Sequence, residues 1–385
     1  PMDSLQHYLN FLNTGTLALD PRSGAGRTWG GGIDYEFFQF DHVRQAKRQV
    51  GSTIKPIVYA TALENGIDPC TYYTSQKITF PKYNDWTPEN SPPVYDKNYA
   101  MKAALAQSVN TVAVRVLMDA GLYNVIELAE NMGIETELPE VPSLALGTAE
   151  LSVIELATAY TSFVNEGRPS NPYFISRIED RDGKVLARFE PDVGEIPVFS
   201  ETTRQAMIEM MKGTVNEGTA RRLRGTYGLQ NDLAGKTGTT QNNRDGWFVS
   251  LNPRLGTATW VGADDHRIGF RSTALGQGAN SALPVQALFY KKMNADMSYA
   301  LYTQAQFPPP SVSVLNAINC APEKKNGLIK RVFSNNEKPK AMDLELDSTV
   351  RAPEKKEGFF KKLFKRRSKE EKEKRKEERK KKRKG

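Results

Sequence analysis

Ser52-Thr53-Ile54-Lys55, followed by the apolar run Ile57-Val58-Tyr59-Ala60-Thr61-Ala62-Leu63, is the stretch on which the reading of this chain turns. A serine three residues before a lysine, at the opening of a helix, puts a hydroxyl and an amine on one face of the first turn. A serine hydroxyl is too weakly acidic to act as a nucleophile at neutral pH without a neighbour to take its proton. Lysine can do so when desolvation or a nearby cation lowers its pKa. At a helix start, the outward-pointing backbone N–H groups also favour a developing negative charge. Alone the match carries little weight. Ser-x-x-Lys arises by chance roughly once or twice in a chain of this length, and an N-cap serine with a solvated lysine is the plainer reading.

Two further segments change that balance. Ser108-Val109-Asn110 supplies a second hydroxyl and a carboxamide, which could relay a proton and hold a substrate amide; by itself it reads as a polar loop between helices. Gly235-Lys236-Thr237-Gly238-Thr239-Thr240 precedes Gly246-Trp247-Phe248-Val249-Ser250, which reads as a strand. Here a cation and several hydroxyls lie along extended backbone and suit a carboxylate, and the glycine is expected to let a ligand approach the main chain. By itself this segment could equally be a Gly-containing hairpin corner.

The three together, in this order, resemble the Ser-x-x-Lys, Ser-Asp-Asn and Lys-Thr-Gly trio of penicillin-binding proteins and class A β-lactamases. The chain is more specifically similar to the transpeptidase domain of class A, bifunctional, 1A-type penicillin-binding proteins. That resemblance spans roughly residues 15–295 and is carried by Leu17–Gly24, Gln45–Ser52, Trp86–Asn90, Ala103–Ser108, Leu146–Glu150, Glu155–Tyr160, Gly218–Ala220 and Asp245–Phe248. Val109 stands where the trio has Asp, and no Glu-x-x-Leu-Asn element follows Asn110; both count against a class A β-lactamase.

The resemblance implies a penicillin-binding, serine β-lactamase-like α+β fold and a D,D-transpeptidase reaction. Ser52 is then the nucleophile toward stem peptides ending in D-Ala-D-Ala, and toward β-lactams. Lys55 takes its proton, Ser108 and Asn110 assist transfer and bind the stem-peptide amide, and Lys236, Thr237 and Thr239 beside Gly238 receive the terminal carboxylate. The N–H groups of Ser52 and Thr239 form the oxyanion hole. A D,D-carboxypeptidase and a non-turnover β-lactam sensor remain the alternatives. The same resemblance implies a place on the extracytoplasmic face of a bacterial membrane, with an anchor and a glycosyltransferase domain expected before Pro1. In such a compartment Cys70 and Cys320 could pair, a question that sequence leaves open because it carries no geometry.

Charge narrows the partners. Residues 353–385 hold 18 Lys/Arg against 7 Glu, a net of +11, and the other residues hold 35 against 38, a net of −3. The body is therefore nearly balanced, and no nucleic-acid partner is expected. Within the tail, Phe359, Phe360, Leu363 and Phe364 fall at helical spacing among lysines and arginines. That pattern fits an anionic membrane surface over 354–385 or a solvated charged tail. Three scattered histidines and two cysteines without a Cys-x-x-Cys offer no metal site, and no cofactor is expected. No apolar run approaches the about 18 residues of a membrane span.

Hydrophobic periodicity predicts the organisation of the rest. Residues 1–14 read as the end of a linker, and the resemblance implies that 15–305 form the transpeptidase domain. Strands are expected at Thr16–Leu19 and Arg27–Ile33, and a helix from Ser52 to near Asn65-Gly66 with Pro56 in its early turns. Residues 66–100 read as irregular, 101–167 as mostly helical, 172–192 as strands about Asp180–Gly183, 201–217 as a helix and 232–264 as consecutive antiparallel strands. Helices gathered against an antiparallel sheet make an α+β domain. Residues 306–352 read as a linker or loosely packed extension, and 353–385 as the basic tail.

Overall fold

The computed structural model describes residues 11–36 and 38–321. The tail at 353–385, most of the 306–352 extension and residues 1–10 lie outside them. A five-stranded antiparallel sheet organises the chain. Its strands are β1 (Leu12–Leu19), β2 (Gly26–Gly30), β3 (Ala234–Thr239), β4 (Asp245–Asn252) and β5 (Leu255–Ala263), in the spatial order β3-β4-β5-β1-β2. The meander expected over 232–264 is therefore β3-β4-β5, and β3, with Lys236-Thr237-Gly238-Thr239, forms one edge.

Both faces of β4 and β5 are buried throughout, as a sheet covered by helices on each side requires. Trp247, Val249, Leu251, Ala258 and Trp260 belong to the larger core shared with the helical cluster. Phe248, Leu255 and Ala18 pack on the other face with Leu283, Ala287 and Tyr290. Each large apolar side chain taken fully out of water contributes about 1.5–3 kcal/mol, so the side-to-side alternation of β4 anchors it in both layers.

The helices that place the site are α1 (Lys55–Glu64), α2 (Met101–Gln107), α3 (Asn110–Ala120), α4 (Leu122–Asn131), α5 (Val153–Thr161), α6 (Glu201–Asn216), α7 (Ala282–Asn294) and α8 (Val312–Ile318). α7 covers one face of the sheet and α5 the other. α1 is buried from Lys55 through Ala62, with no solvent face over that span. Its lysine is therefore carried into the core by the helix and is not a surface residue that happens to be covered. α5 opens with a capping box: Ser152 Oγ accepts from Glu155 N–H while the Glu155 carboxylate accepts from Ser152 N–H.

Several expectations need correction. The segment expected to open a helix at Ser52 is a 3₁₀ turn, Gly51–Ile54, and α1 starts only at Lys55. Pro56 gives the reason: it has no N–H to donate to Ser52 O in an α-helical bond, and Lys55 N–H takes that carbonyl in a tighter turn. β1 begins at Leu12 instead of following a linker that ends at residue 14, because Leu12–Thr14 pair with Ala263–Val261. β2 ends at Gly30, short of Ile33: the chain turns away where His42 N–H donates to Gly31 O. The 101–167 stretch is interrupted by a 3₁₀ turn at Pro142–Leu146 and by Glu150–Leu151, which pairs with Arg48–Gln49 just before Ser52. Residues 66–100 do contain one short pair, Tyr72–Thr74 with Asn98–Ala100.

The start of the expected loose extension is packed. Phe307 is buried and its N–H donates to Asp232 Oδ2, α8 buries Val314, and Cys320 forms a disulfide with Cys70. Residues 306–321 thus belong to the folded body. The pair Arg177–Glu179 and Val185–Arg188 forms an exposed hairpin around Asp180–Gly183, close to the expected alternation.

Candidate active site

Three elements converge around Ser52. The first is the 3₁₀ turn with Ser52, which continues into α1 with Lys55. Gly51 sits there at φ +54°, in the left-handed region. A Cβ on Gly51 would lie 2.6 Å from Thr239 O and 2.9 Å from Thr239 C, so the turn rests directly on the backbone of the edge strand. Gly147, at φ +76°, closes the other side, and Gly51 N–H donates to its carbonyl.

Gly238 serves the same contact. A Cβ there would meet Val50 O at 2.7 Å, Thr53 Cγ2 at 2.9 Å and Trp247 Cβ at 2.9 Å. The glycine expected to admit a ligand admits the Gly51–Ile54 turn instead. Its open side is filled by this chain's own atoms.

The second element is the α2–α3 junction. Ser108 caps α2 in the left-handed conformation, φ +58° and ψ +38°. That conformation is uncommon for a non-glycine residue and costs on the order of 1–2 kcal/mol. Lys55 Nζ donates to Ser108 O at 2.8 Å and to Asn110 Oδ1 at 2.7 Å, and lies 3.2 Å from Ser108 Oγ. Asn110 Nδ2 donates to Glu89 O at 2.7 Å. The carboxamide is oriented by having an amine on its oxygen side and a carbonyl on its nitrogen side.

The third element is β3. Lys236 Nζ donates to Ser108 Oγ at 3.0 Å and to Thr237 O at 2.9 Å. Ser108 Oγ therefore stands between two lysines. Thr237 Oγ1 and Thr219 Oγ1 share a hydrogen bond of 2.6 Å, and Thr239 Oγ1 accepts from Gly278 N–H at 3.0 Å.

The direction of the Thr239 N–H follows from the ladder. Thr240 N–H donates to Asp245 O, so Thr240 is a hydrogen-bonded position of the β3–β4 pair. Antiparallel positions alternate. Thr239, opposite Gly246, is then a non-hydrogen-bonded position whose N–H points off the sheet edge toward the Gly51–Ser52 turn. The Ser52 N–H is a first-turn donor with no intrahelical partner.

Both lysines are wholly buried. Burial, reinforced by the charge of Lys236, holds Lys55 well below the ordinary lysine range. Burial alone lowers Lys236 to about 7. A neutral Lys55 can spend its two N–H bonds on Ser108 O and Asn110 Oδ1 and keep a lone pair for a proton. This arrangement can take a proton from a hydroxyl, pass it through Ser108 Oγ and present positive charge and hydroxyls to a carboxylate.

Lys55, Ser108, Asn110, Lys236 and Thr237 form one hydrogen-bonded group, and Ser52, Gly238 and Thr239 stand at the turn-to-strand contact beside it. Among the described residues, the Ser52 hydroxyl has no hydrogen bond, and the three polar contacts of Lys55 go to Ser108 and Asn110. Thr219 and the Glu89 carbonyl were not singled out for a role from sequence. Their segments carry the family resemblance, but nothing in a lone Gly-Thr-Ala or Pro-Glu-Asn says which atom faces the site. No group of His, Cys, Asp or Glu among the described residues could hold a metal ion.

The Penicillin binding protein transpeptidase domain matches residues 14–267. Penicillin-binding protein 1A of Neisseria gonorrhoeae is 37% identical over 283 residues, covering 71% of this chain and 35% of the relative. That of Aquifex aeolicus is 34% identical over 314 residues, covering 80% and 41%. The chain thus spans little more than a third of the length of the curated relatives it matches. Among solved structures, penicillin-binding protein 1A from Haemophilus influenzae superposes with TM-score 0.70 at 27% identity, over 77% of this chain and 49% of that one. PonA1 of Mycobacterium tuberculosis, in complex with penicillin V, superposes with TM-score 0.64 at 25% identity, over 80% and 85%.

Proposed function

This chain belongs to the penicillin-binding protein transpeptidase family, and on that premise we propose that it catalyses D,D-transpeptidation of peptidoglycan stem peptides through an acyl-Ser52 intermediate. The observation that carries the reading is the Lys55–Ser108–Lys236 arrangement, in which two buried lysines flank one serine hydroxyl beside the Ser52 turn.

Ser52 Oγ attacks the carbonyl between the two terminal D-alanines, and Lys55 takes its proton. The N–H groups of Ser52 and Thr239 stabilise the oxyanion, a contribution that typically amounts to about 10²–10³-fold per donor. Ser108 passes a proton to the departing amine as the C–N bond breaks. D-Alanine leaves, and the peptide remains as an ester on Ser52. Lys236, with Thr237, Thr219 and Thr239, receives the terminal carboxylate. Asn110, held between Lys55 and Glu89 O, meets the stem-peptide amide. An amine from a second stem peptide then attacks the ester, forming the crosslink and restoring the Ser52 hydroxyl. A β-lactam enters by the same first step, with its broken C–N bond still tethered in the adduct.

The Cys70–Cys320 disulfide supports an extracytoplasmic location, where such bonds persist. Glycan polymerisation is not assigned to these residues.

Labelling with a fluorescent penicillin, followed by mass spectrometry of the adduct, tests the reading. The wild-type chain is expected to carry one penicilloyl group on Ser52, and Ser52→Ala none; normal labelling of Ser52→Ala overturns the proposal. Crosslinked dimers from a stem-peptide donor and an amine acceptor are the expected product, and release of D-alanine without dimers would assign a carboxypeptidase instead.

A further inference from the structure

Beside the Ser52 turn and β3 lies a buried polar group that the reaction above does not use. Asp245, at the start of β4, is buried, and both of its carboxylate oxygens are occupied. Oδ1 accepts from Arg48 Nε at 2.7 Å and from Trp260 Nε1 at 2.9 Å. Oδ2 accepts from Thr240 Oγ1 at 3.0 Å, and Thr240 Oγ1 in turn accepts from Asp245 N–H at 2.9 Å. Arg48 is only 4% exposed, lies over the Trp260 ring at 4.9 Å, and donates through Nη1 to Asp264 O at 3.1 Å.

The positions of these partners along the chain give the group its meaning. Arg48 stands four residues before Ser52, in the short strand that leads into the nucleophile turn. Thr240 follows Thr239 directly. One carboxylate therefore ties together the two segments whose N–H groups face the reacting carbonyl. Trp247 Nε1, two residues after Asp245, adds a 2.8 Å bond to Gln49 O. Gly51 and Gly238 bring the same two segments into van der Waals contact. The separation of the two donors is thus set by these glycine contacts together with the Asp245 ion pair.

We propose that Asp245 is a positioning residue for the acylation step: with Arg48 and Thr240 it holds the separation of the Ser52 and Thr239 N–H groups at the value that fits the oxyanion. This rests on the acyl-transfer reading above. Asp245 touches no substrate and acts only through the two segments it joins. Preorganised donors matter in the transition state and much less in the initial complex. A misplacement on the order of 1 Å costs about 10²-fold in rate. The clamp should therefore govern the acylation rate constant far more than pre-acylation binding, since Lys236 and Thr237, which receive the carboxylate with Thr239, are held separately by Ser108, Thr237 O and Thr219.

The test uses stopped-flow acylation by a chromogenic β-lactam, which separates the dissociation constant of the initial complex from the rate constant of acylation. A buried guanidinium deprived of its carboxylate destabilises a fold, so the decisive variant is Thr240→Val. It keeps the shape of the side chain and removes only the hydroxyl that bridges to Asp245. The expected result is a roughly 10-fold slower acylation with an initial dissociation constant changed less than about threefold, and recovery in Thr240→Ser. Asp245→Asn should be slowed about 10- to 100-fold. The rate constant is read on the fraction that reacts, so partial unfolding lowers the amplitude and not the rate. Acylation within twofold of wild type in Thr240→Val overturns the proposal, as does a loss confined to the initial complex. If the wild-type chain itself fails to acylate while Ser52 is intact, the acyl-transfer reading fails instead.

Discussion

Replacing Gly238 by alanine separates two explanations of the Lys-Thr-Gly segment. If the glycine admits a ligand, Gly238→Ala should leave stability untouched and weaken only substrate binding. The structure points the other way. The added methyl carbon would sit 2.7 Å from Val50 O, 2.9 Å from Thr53 Cγ2 and 2.9 Å from Trp247 Cβ. Two of these neighbours, a backbone carbonyl and a Cβ, cannot swing aside as a flexible side-chain end can. β3 or the 51–54 turn must move by several tenths of an ångström. Overpacking of this kind costs about 1–3 kcal/mol, equivalent to roughly 2–10 °C in Tm for a domain of this size. The same displacement separates Ser52 from Thr239 and should slow acylation by about 10²-fold. Differential scanning calorimetry and penicillin acylation kinetics measure the two effects. Gly225→Ala is the control, since a Cβ there meets nothing within 4 Å; it is expected to be neutral. A Gly238→Ala protein with wild-type Tm and weakened substrate binding would refute the steric account.

Asn110→Asp places a carboxylate 2.7 Å from Lys55 Nζ; it should favour the ammonium form and move the acidic limb of the acylation pH profile upward by a unit or more. Lys236 is lowered to about 7 by burial, so between about pH 7 and 10.5 the unfolded chain holds a proton there that the folded one lacks, and stability rises with pH across that window. One proton corresponds to a slope of about 1.4 kcal/mol per pH unit, and Lys236→Met should lose that slope between pH 7 and 9 in urea titrations; an identical slope would refute it. The Cys70–Cys320 bridge closes a loop with a sequence separation of 250. Cys70→Ser with Cys320→Ser should cost about 2–4 kcal/mol in denaturant unfolding while leaving the acylation rate constant of the folded fraction within twofold.

How much was legible in the sequence depended on how local the signal was. The β3-β4-β5 meander could be read from 232–264 because each strand pairs with its neighbour in sequence and short connections carry turn residues. β1 could not be bounded from its own residues. Leu12–Thr14 form a strand only because Ala263–Val261, about 250 positions away, offer them partners. The start of α1 differs from the expected helix at Ser52 for a local reason: Pro56 has no N–H for Ser52 O, and that absence makes the Ser52 turn 3₁₀. The 306–321 segment looked loose because its anchors, Asp232 and Cys70, are remote in the chain.

The site divides the same way. Residue types and short spacings select the chemistry: a hydroxyl with an amine three residues on, a hydroxyl with a carboxamide two on, and a cation beside threonines on an extended strand. These belong to the sequence, since i,i+3 neighbours on a helix and alternate faces on a strand follow from local geometry alone. Which atoms meet was decided by tertiary structure. Lys55 turns to Ser108 and Asn110 because α1 has no solvent face, and Ser108 joins the two lysines because its left-handed backbone aims it there. Gly238 serves packing because Val50 and Thr53 arrive from 185 or more positions away. Burial lowers both lysines, and burial is a property of the whole fold, set by chain segments that no four-residue motif contains.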